Sequence, residues 1–457
     1  MKIAAIRPKK IAVVGSGISG LSCAWLLSKA HDVTLYEKDD RLGGHTNTVT
    51  IPIQGKDIAV DTGFIVFNPV NYPNLVKFFE TLHIPSVETD MSFSVSVNKG
   101  DLEYSGTGMS GLLAQKKNLL RPSFWQMIRD LMRFYRESGE MLNREDVDQI
   151  SLRELLNIHG YSNAFIYNHL LPMGAAIWST PVEKMLNYPA SSFLRFCRNH
   201  GLVQLKDRPQ WRTVNGGSKQ YIDKIAETLE GKIRLNSRIH KIIRHPTHIT
   251  ILDHHGHSEH YDDVVLACHS DQALKLLETP SELEQKLLSC FPYQRNKAYL
   301  HQDDRLMPQR RSVWSSWNYL SEGERDLTQS VSVTYWMNTL QPLNTGQNLF
   351  VSLNPLREPG KESIHRTFFY DHPEFGHDAL ANQKRLWELQ GVQRTWYCGA
   401  YFGYGFHEDG LQAGLAVAEQ LGGLPRPWVL ENKNSRIYVR DLPVSSPGLH
   451  QRVSAHG

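Results

Sequence analysis

Three glycines at G-x-G-x-x-G spacing, Gly15, Gly17 and Gly20, and an acid further on, Glu37, make a set that can hold a dinucleotide. Glycine at 15 permits a tight turn, glycine at 17 keeps side chains away from a pyrophosphate, and glycine at 20 lets a helix lie close on the preceding strand. The amides of Ile18 and Ser19 open that helix, so its free N–H groups and the positive end of its dipole face the phosphates. The Glu37 carboxylate, with Lys38 beside it, stands where it can accept from both hydroxyls of an adenosine ribose. NAD and FAD fit this set equally. Groups able to move a proton are fewer, and the candidates are Lys297, His301, His372 and His407.

The elements that must position these groups follow from local pattern. Ile11 to Val14 is an apolar, β-branched run that reads as a strand, the stretch to Ala30 reads as a helix, and Val33 to Tyr36 is a second strand ending at Glu37. Later, "VNGGSKQYIDKIAETLEGKIRLNSRIHKII" predicts a helix over 218–229, a strand over 233–235 and another from Ile239 to Ile243. A hairpin turning near Asp253 to Gly256 leads to a strand over 264–267. Near the end, "RTWYCGAYFGYGFHEDGLQAGLAVAEQLGG" reads as strand, glycine-rich loop at Gly399, and helix. Gly410 and Leu411 are expected to open that helix, with Glu408 or Asp409 as its cap.

The stretch "EKDDRLGGH" adds Arg41, Gly43, Gly44 and His45 just past the ribose acid, and an NAD site needs no such glycine pair. It resembles the E-x(n)-R-x-G-G signature of the flavin amine oxidase, phytoene desaturase and protoporphyrinogen oxidase superfamily. Within it, "DTGFIVFN", "AAIWST", "RPQWRTVNGGS" and "GFHEDGL" are similar to a bacterial branch of FAD-dependent oxidoreductases. The resemblance implies FAD, with the 41–45 turn closing over its pyrophosphate and Arg41 supplying charge. It sets Gly63 against the isoalloxazine, the backbone of Ile239 near the adenine, and the Gly410 and Leu411 amides toward the N1–C2=O edge. Glu408 or Asp409 would cap the last helix or bind a ribityl hydroxyl. Phe406 would form one wall of an aromatic cage, in a motif where Asp409 replaces a family glycine. The resemblance also sets Lys297 near flavin N5 through a water, and His372, in "FFYDHPEF", near the ring. That segment lacks the cysteine of covalent flavin attachment, which implies non-covalent FAD.

The motif-bearing segments lie too far apart to be joined by loops. The expected fold is therefore α/β: a Rossmann-like FAD-binding domain of the glutathione reductase type and amine oxidase topology, formed by 1–68, 214–275 and 392–424. An α+β substrate domain on a mixed sheet, 69–213 and 276–391, is interleaved with it. The tail 425–457 is unassigned.

Composition removes other classes. Lys plus Arg exceed Asp plus Glu by only three, and aromatic residues do not interleave with basic runs, so nucleic acid is not an expected partner. The five cysteines are scattered without C-x-x-C, which points to a reducing, cytoplasmic compartment. No apolar run reaches the length of a membrane span. "RPSFWQMIRDLMRFYRE", Arg121 to Glu137, mixes apolar and basic residues and suits either a core-covering helix or one resting on the inner face of a bilayer. The histidines from His245 to His260 straddle the predicted hairpin without a ligand scaffold, and no metal is expected. "WSSWNYL" and "VTYWMNTLQ" alternate like strands and suit a core or a tunnel lining.

The function implied by the resemblance is an FAD-dependent oxidoreductase that removes hydride from a C–N or C–C bond of a small hydrophobic or lipid-like substrate. The branch often accompanies methyltransferases similar to cyclopropane fatty acid synthases, which implies a lipid acyl chain. A redox-neutral isomerase or mutase and a non-catalytic flavin-bound subunit of a lipid-modifying complex are the alternatives. A plain NAD dehydrogenase is disfavoured by the last motif, and the oligomeric state is left open.

Overall fold

The computed structural model describes residues 7–178, 182–199, 201–203, 208–322 and 332–441. Ser179 and Thr180 of the "AAIWST" motif lie outside the described residues, as do the first six residues and the end of the tail from 442.

Five strands, all parallel, form the first sheet in the order Ile233–Arg234, β2 (Asp32–Tyr36), β1 (Lys10–Val14), Asp263–Leu266 and Thr395–Tyr397. Their apolar runs suit a parallel sheet covered on both faces. Ile11, Ala12, Val33, Leu35, Val264 and Val265 are fully buried. These strands come from three separated stretches of chain. The helices that flank the motifs are α1 (Ile18–Leu27), α2 (Pro73–Thr81), α3 (Pro122–Met141), α4 (Ala190–Asn199), α5 (Lys219–Thr228) and α6 (His407–Gly422). Helices α1 and α6 pack closely because a Cβ at Gly414 would lie 2.2 Å from the Ser19 carbonyl oxygen.

A seven-stranded mixed sheet forms the second half. Its order is β4 (Ile364–Pro373), β3 (Tyr293–His301), Phe350–Leu353, Ser332–Trp336, Trp317–Leu320, Phe93–Val97 and Leu102–Ser105. Only Trp317–Leu320 against Phe93–Val97 is parallel. The predicted alternation in "WSSWNYL" and "VTYWMNTLQ" thus yields two paired strands, although the second turns into a short helix, Met337–Leu340, right after Trp336. Asn338 Oδ1 accepts from Leu349 N at 2.8 Å and fixes that turn.

Two expectations shift. The first helix stops at Leu27 rather than Ala30. The last helix starts at His407, not Gly410, because Phe406 is its N-cap and Asp409 accepts from the Phe406 N–H at 2.7 Å. The histidine tract sits on an antiparallel sheet of Ile239–Arg244, Ile249–Asp253 and Ser258–Tyr261. There His245 and His260 hydrogen-bond Thr250 at 3.1 and 3.0 Å.

The tail after Pro425 is partly built into the fold. Arg426 is buried and donates to Glu419, Asn74 and Asn434, while Trp428 stacks on Trp25.

Candidate functional site

The turn after β1 is shaped by two glycines. Gly15 has φ +105°, and a Cβ there would sit 2.7 Å from the Ala267 carbonyl oxygen. A Cβ at Gly20 would sit 1.9 Å from the Gly15 oxygen, so α1 lies directly on the turn. Gly17, by contrast, has nothing within 4 Å of its Cβ position. It caps α1 without a side-chain hydrogen bond, and the first turn, with Ile18, Ser19 and Gly20 all buried, carries no acid. A buried helix N-terminus without a capping acceptor calls for an anion.

Glu37 directly follows β2 and accepts from Ser16 N at 3.0 Å and Ser16 Oγ at 2.5 Å. Its other oxygen accepts from Asp39 N, while Lys38 is exposed. The Ser237 N–H donates to the Glu37 carbonyl at 2.8 Å, so the residues leading to Ile239, itself buried, run beside this acid. Arg41 is spent on the turn that follows: its guanidinium donates to the carbonyls of Leu42, Gly44 and Thr46. Gly43 N donates to the Ser16 oxygen at 3.0 Å, and a Cβ on Gly44 would stand 3.3 Å from Gly17 Cα. The two glycine turns therefore abut.

Past this turn the chain reaches a cluster of rings. Gly63 lies so close to His45 that a Cβ would fall 2.0 Å from the His45 oxygen. The His45 ring packs 5.2 Å from both Tyr370 and His372 of β4. Tyr370 OH bonds Asn47 Nδ2 at 3.0 Å and Thr62 Oγ1 at 2.8 Å, and His372 Nδ1 bonds Asn296 Nδ2 at 3.0 Å. His407 stacks on Phe64 at 3.8 Å and bonds Thr46 at 2.9 Å and Tyr221 of α5 at 3.2 Å. Thr46 and Tyr221 also hydrogen-bond each other. Burial is the first cause that keeps these imidazoles neutral: it takes His372 to about 4 and His407 to about 3. His45 is pushed well below its usual range by burial and then by the neighbouring His372, His269 and His407. Its Nε2 is shielded from solvent and has no partner among the described residues.

Asp61, in the "DTGF" segment, ties the surroundings together. It is fully buried and accepts from Thr48, from Ser218 N and Oγ, and from Gln341 Nε2 at 2.9 Å. Burial raises its carboxyl to about 6 against the pull of those donors.

At the start of α6 both acids serve the protein. Asp409 caps the helix, and Glu408 accepts from the amides of Asn74 and Leu75 at the start of α2, 3.0 Å each. The Gly410 N–H is bonded to the Phe406 oxygen, so it is not a free amide as expected from the sequence; the free N–H groups belong to the turn opening at His407. The Gly410 Cβ position instead faces Ile18 at 2.9 Å and Ala400 N, next to Gly399, at 3.6 Å, and Leu411 is buried. Phe406 stacks at 5.1 Å on Phe196 of α4, which in turn meets Trp178 at 4.4 Å.

The structure brings together Gly17, Gly43, Gly44, His45, Gly63, His372 and His407. Two proton-handling candidates fall elsewhere. Lys297 points outward from β3 and pairs with Glu358 at 2.7 Å, since its strand position faces solvent. His301 is fully buried and bonded through both nitrogens, to Ser352 and to Asp303 N. Thr46, Asp61, Tyr221 and Tyr370 were not assigned from the sequence. Asp61, Tyr221 and Tyr370 lie inside motif-bearing stretches, but nothing local distinguishes their roles.

A ligand with a pyrophosphate and a ribose fits what is left open between the α1 start and Glu37: the first-turn amides of α1, the space at Gly17, and the His45 Nε2 that has no partner among the described residues. Residues 18–349, well over half of the chain, match the family described as flavin containing amine oxidoreductase. A flavin-containing monoamine oxidase, so named, of Mycobacterium tuberculosis is 24% identical over 54% of this chain and 54% of its own length. The chain thus spans about half the length of these curated relatives. An L-amino-acid oxidase of Pseudechis australis is 52% identical over 42 residues, 9% of this chain and 8% of that protein. Among solved structures, putrescine oxidase bound to putrescine superposes with a TM-score of 0.66 at 15% identity, covering 92% of this chain and 100% of that one. A fatty acid isomerase from P. acnes that produces CLA gives 0.64 at 15%, covering 89% and 97%. At such identities the likeness shows the fold. The family match decides between the two nucleotides for FAD.

Proposed function

The chain belongs to the flavin containing amine oxidoreductases, and on that premise we propose that it oxidises a hydrophobic substrate at a C–N or C–C bond, a lipid acyl chain being the favoured class. FAD, held non-covalently, supplies a two-electron acceptor. The amides at the start of α1 bind its phosphates and Glu37 its ribose. His407, locked by Thr46 and Tyr221, fixes the turn opening α6. His372 Nδ1 accepts from the Asn296 amide, so in the neutral ring Nε2 carries the hydrogen and is the atom that can donate to a ligand.

One observation supports the hydrophobic substrate class. Beside α6, Phe406 stacks on Phe196, backed by Trp178, and the adjoining His407 is held neutral. Such a lining offers apolar surface and uncharged hydrogen-bonding atoms, which suits an acyl chain better than a small diamine.

The test is anaerobic mixing of the yellow holoprotein with long-chain acyl lipids, a long-chain amine and putrescine. Bleaching of the visible flavin band by the long-chain compounds alone is the expected result. Bleaching by putrescine alone would reverse the assignment. Turnover of an acyl lipid only after reduction with dithionite would identify a redox-neutral isomerase instead.

A further inference from the structure

The outward stripe of α3 has no role in the site or the core. Counting 100° per residue, Trp125, Arg129, Met132 and Arg136 fall on one narrow line along the helix. Trp125 and Met132 are 45% and 44% exposed, and the side chains of Arg129 and Arg136 are 73% and 75% exposed. The opposite face, Phe124, Met127, Phe134 and Met141, is buried and already supplies the helix with its packing. Just before α3, a turn presents Leu119 and Leu120, the latter 86% exposed, and Trp125 Nε1 donates to the Leu119 oxygen at 2.9 Å. The indole and the two leucines thus form one apolar ledge at the head of the stripe.

Charge accompanies this ledge. Residues 116–136 contain six cations, Lys116, Lys117, Arg121, Arg129, Arg133 and Arg136, against one acid, Asp130. Asp130 is buried, accepts from Ser162 N, and lies only 3.8 and 3.9 Å from Arg129 and Arg133, so it offsets one of the six cations. Asp101 pairs with Lys117 and Arg121 at 2.9 and 2.7 Å, and Glu137 lies 3.6 Å from Arg136, which leaves the segment positive after local pairing.

We propose that this surface docks the protein on an anionic lipid bilayer, with Leu119, Leu120, Trp125 and Met132 entering the headgroup boundary and Arg129 and Arg136 meeting lipid phosphates. Protein–protein interfaces deplete charge from their apolar centre. Here long cations alternate with apolar residues along one line, the pattern of a helix lying in the plane of a membrane interface, where an indole sits at headgroup level and arginine stems lie along the apolar layer. Anionic lipid adds attraction for each cation near the surface.

Flotation of the holoprotein with vesicles tests this without any turnover, so its outcome is separable from that of the oxidation reading. Vesicles of phosphatidylglycerol and phosphatidylethanolamine should carry the protein up at low salt, and vesicles of phosphatidylcholine alone should not. Arg129→Gln with Arg136→Gln should weaken partitioning about thirtyfold, about fivefold for each cation removed. Leu120→Glu with Met132→Glu should abolish it. Because all four side chains point into solvent, both variants should keep the wild-type melting temperature and FAD content. Failure of the wild type to float with anionic vesicles would overturn the proposal. Equal binding to phosphatidylcholine would do the same, as would full binding by both folded variants. So would a fall in solution mass on Leu120→Glu without vesicle binding by the wild type, which would make the ledge a contact between two copies.

Discussion

Arg436, from the tail, sets its guanidinium 3.4 Å from the carboxylate of Asp409 at the start of α6, and both side chains are buried. Asp409 stands where the family motif has glycine, and the same acid caps its helix through the Phe406 N–H. Burial pushes the Asp409 carboxyl up, and Arg436 is the charge that opposes this. The cation also donates to the Asn71 oxygen, joining the tail to the loop before α2. The departure from the family pattern at 409 and the tail that follows α6 are thus two parts of one contact.

Removing the cation should leave a buried, uncompensated carboxylate. Arg436→Met is expected to cost about 3 kcal/mol in unfolding free energy, and Asp409→Asn placed on top should restore a large part of it, because a neutral amide no longer needs the partner. Chemical denaturation of the two single variants and the double variant measures the coupling. Additive losses would show that the pair does not act as a unit.

Much of the nucleotide-binding half is legible in the sequence because its signals are local. Glycine spacing, a β-branched run and an acid at the end of the next strand each constrain only their neighbours, and β1, α1, β2 and Glu37 stand where that pattern sets them. The start of α6 is misread by three residues because the cap is Phe406, which advertises nothing, while the glycine that catches the eye is needed against Ile18 of α1. Asp61 and Arg436 are illegible for a different reason. Their partners, Ser218, Gln341 and Asp409, are fixed only by the folded chain, and no periodicity links them.

His301 offers a clean pH test because it is fully buried and bonded at both nitrogens. Burial lowers it to about 4 in the folded state, against about 6.5 when unfolded. The unfolded chain therefore binds the proton first, and the stability contributed by this neutral imidazole is lost as pH falls from about 6.5 toward 4, roughly 2 kcal/mol by pH 5. In His301→Gln this dependence is absent. The penalty of the substitution, measured by denaturant unfolding, should shrink by about that amount between pH 7 and pH 5. A penalty that stays constant or grows would contradict the neutral state.

Lys297 should be dispensable for turnover. Its ammonium pairs with Glu358 at the surface, whereas the side chain of the preceding Asn296 is the one that bonds His372. Lys297→Met is expected to leave kcat, KM and the rate of anaerobic flavin bleaching at wild-type values. A large loss in kcat would put the ammonium at the reaction centre.

The central claim is that FAD lies across the uncapped start of α1, beside Gly17. Gly17 has an ordinary backbone conformation, φ −66°, and empty space at its Cβ position, so a larger side chain there strains nothing in the protein itself. The most direct measurement is the FAD content of Gly17→Leu after incubation with excess FAD and desalting, beside the melting temperature of its cofactor-free form. The account predicts a folded, colourless protein that melts like the cofactor-free wild type. A yellow Gly17→Leu protein holding one FAD per chain would contradict it.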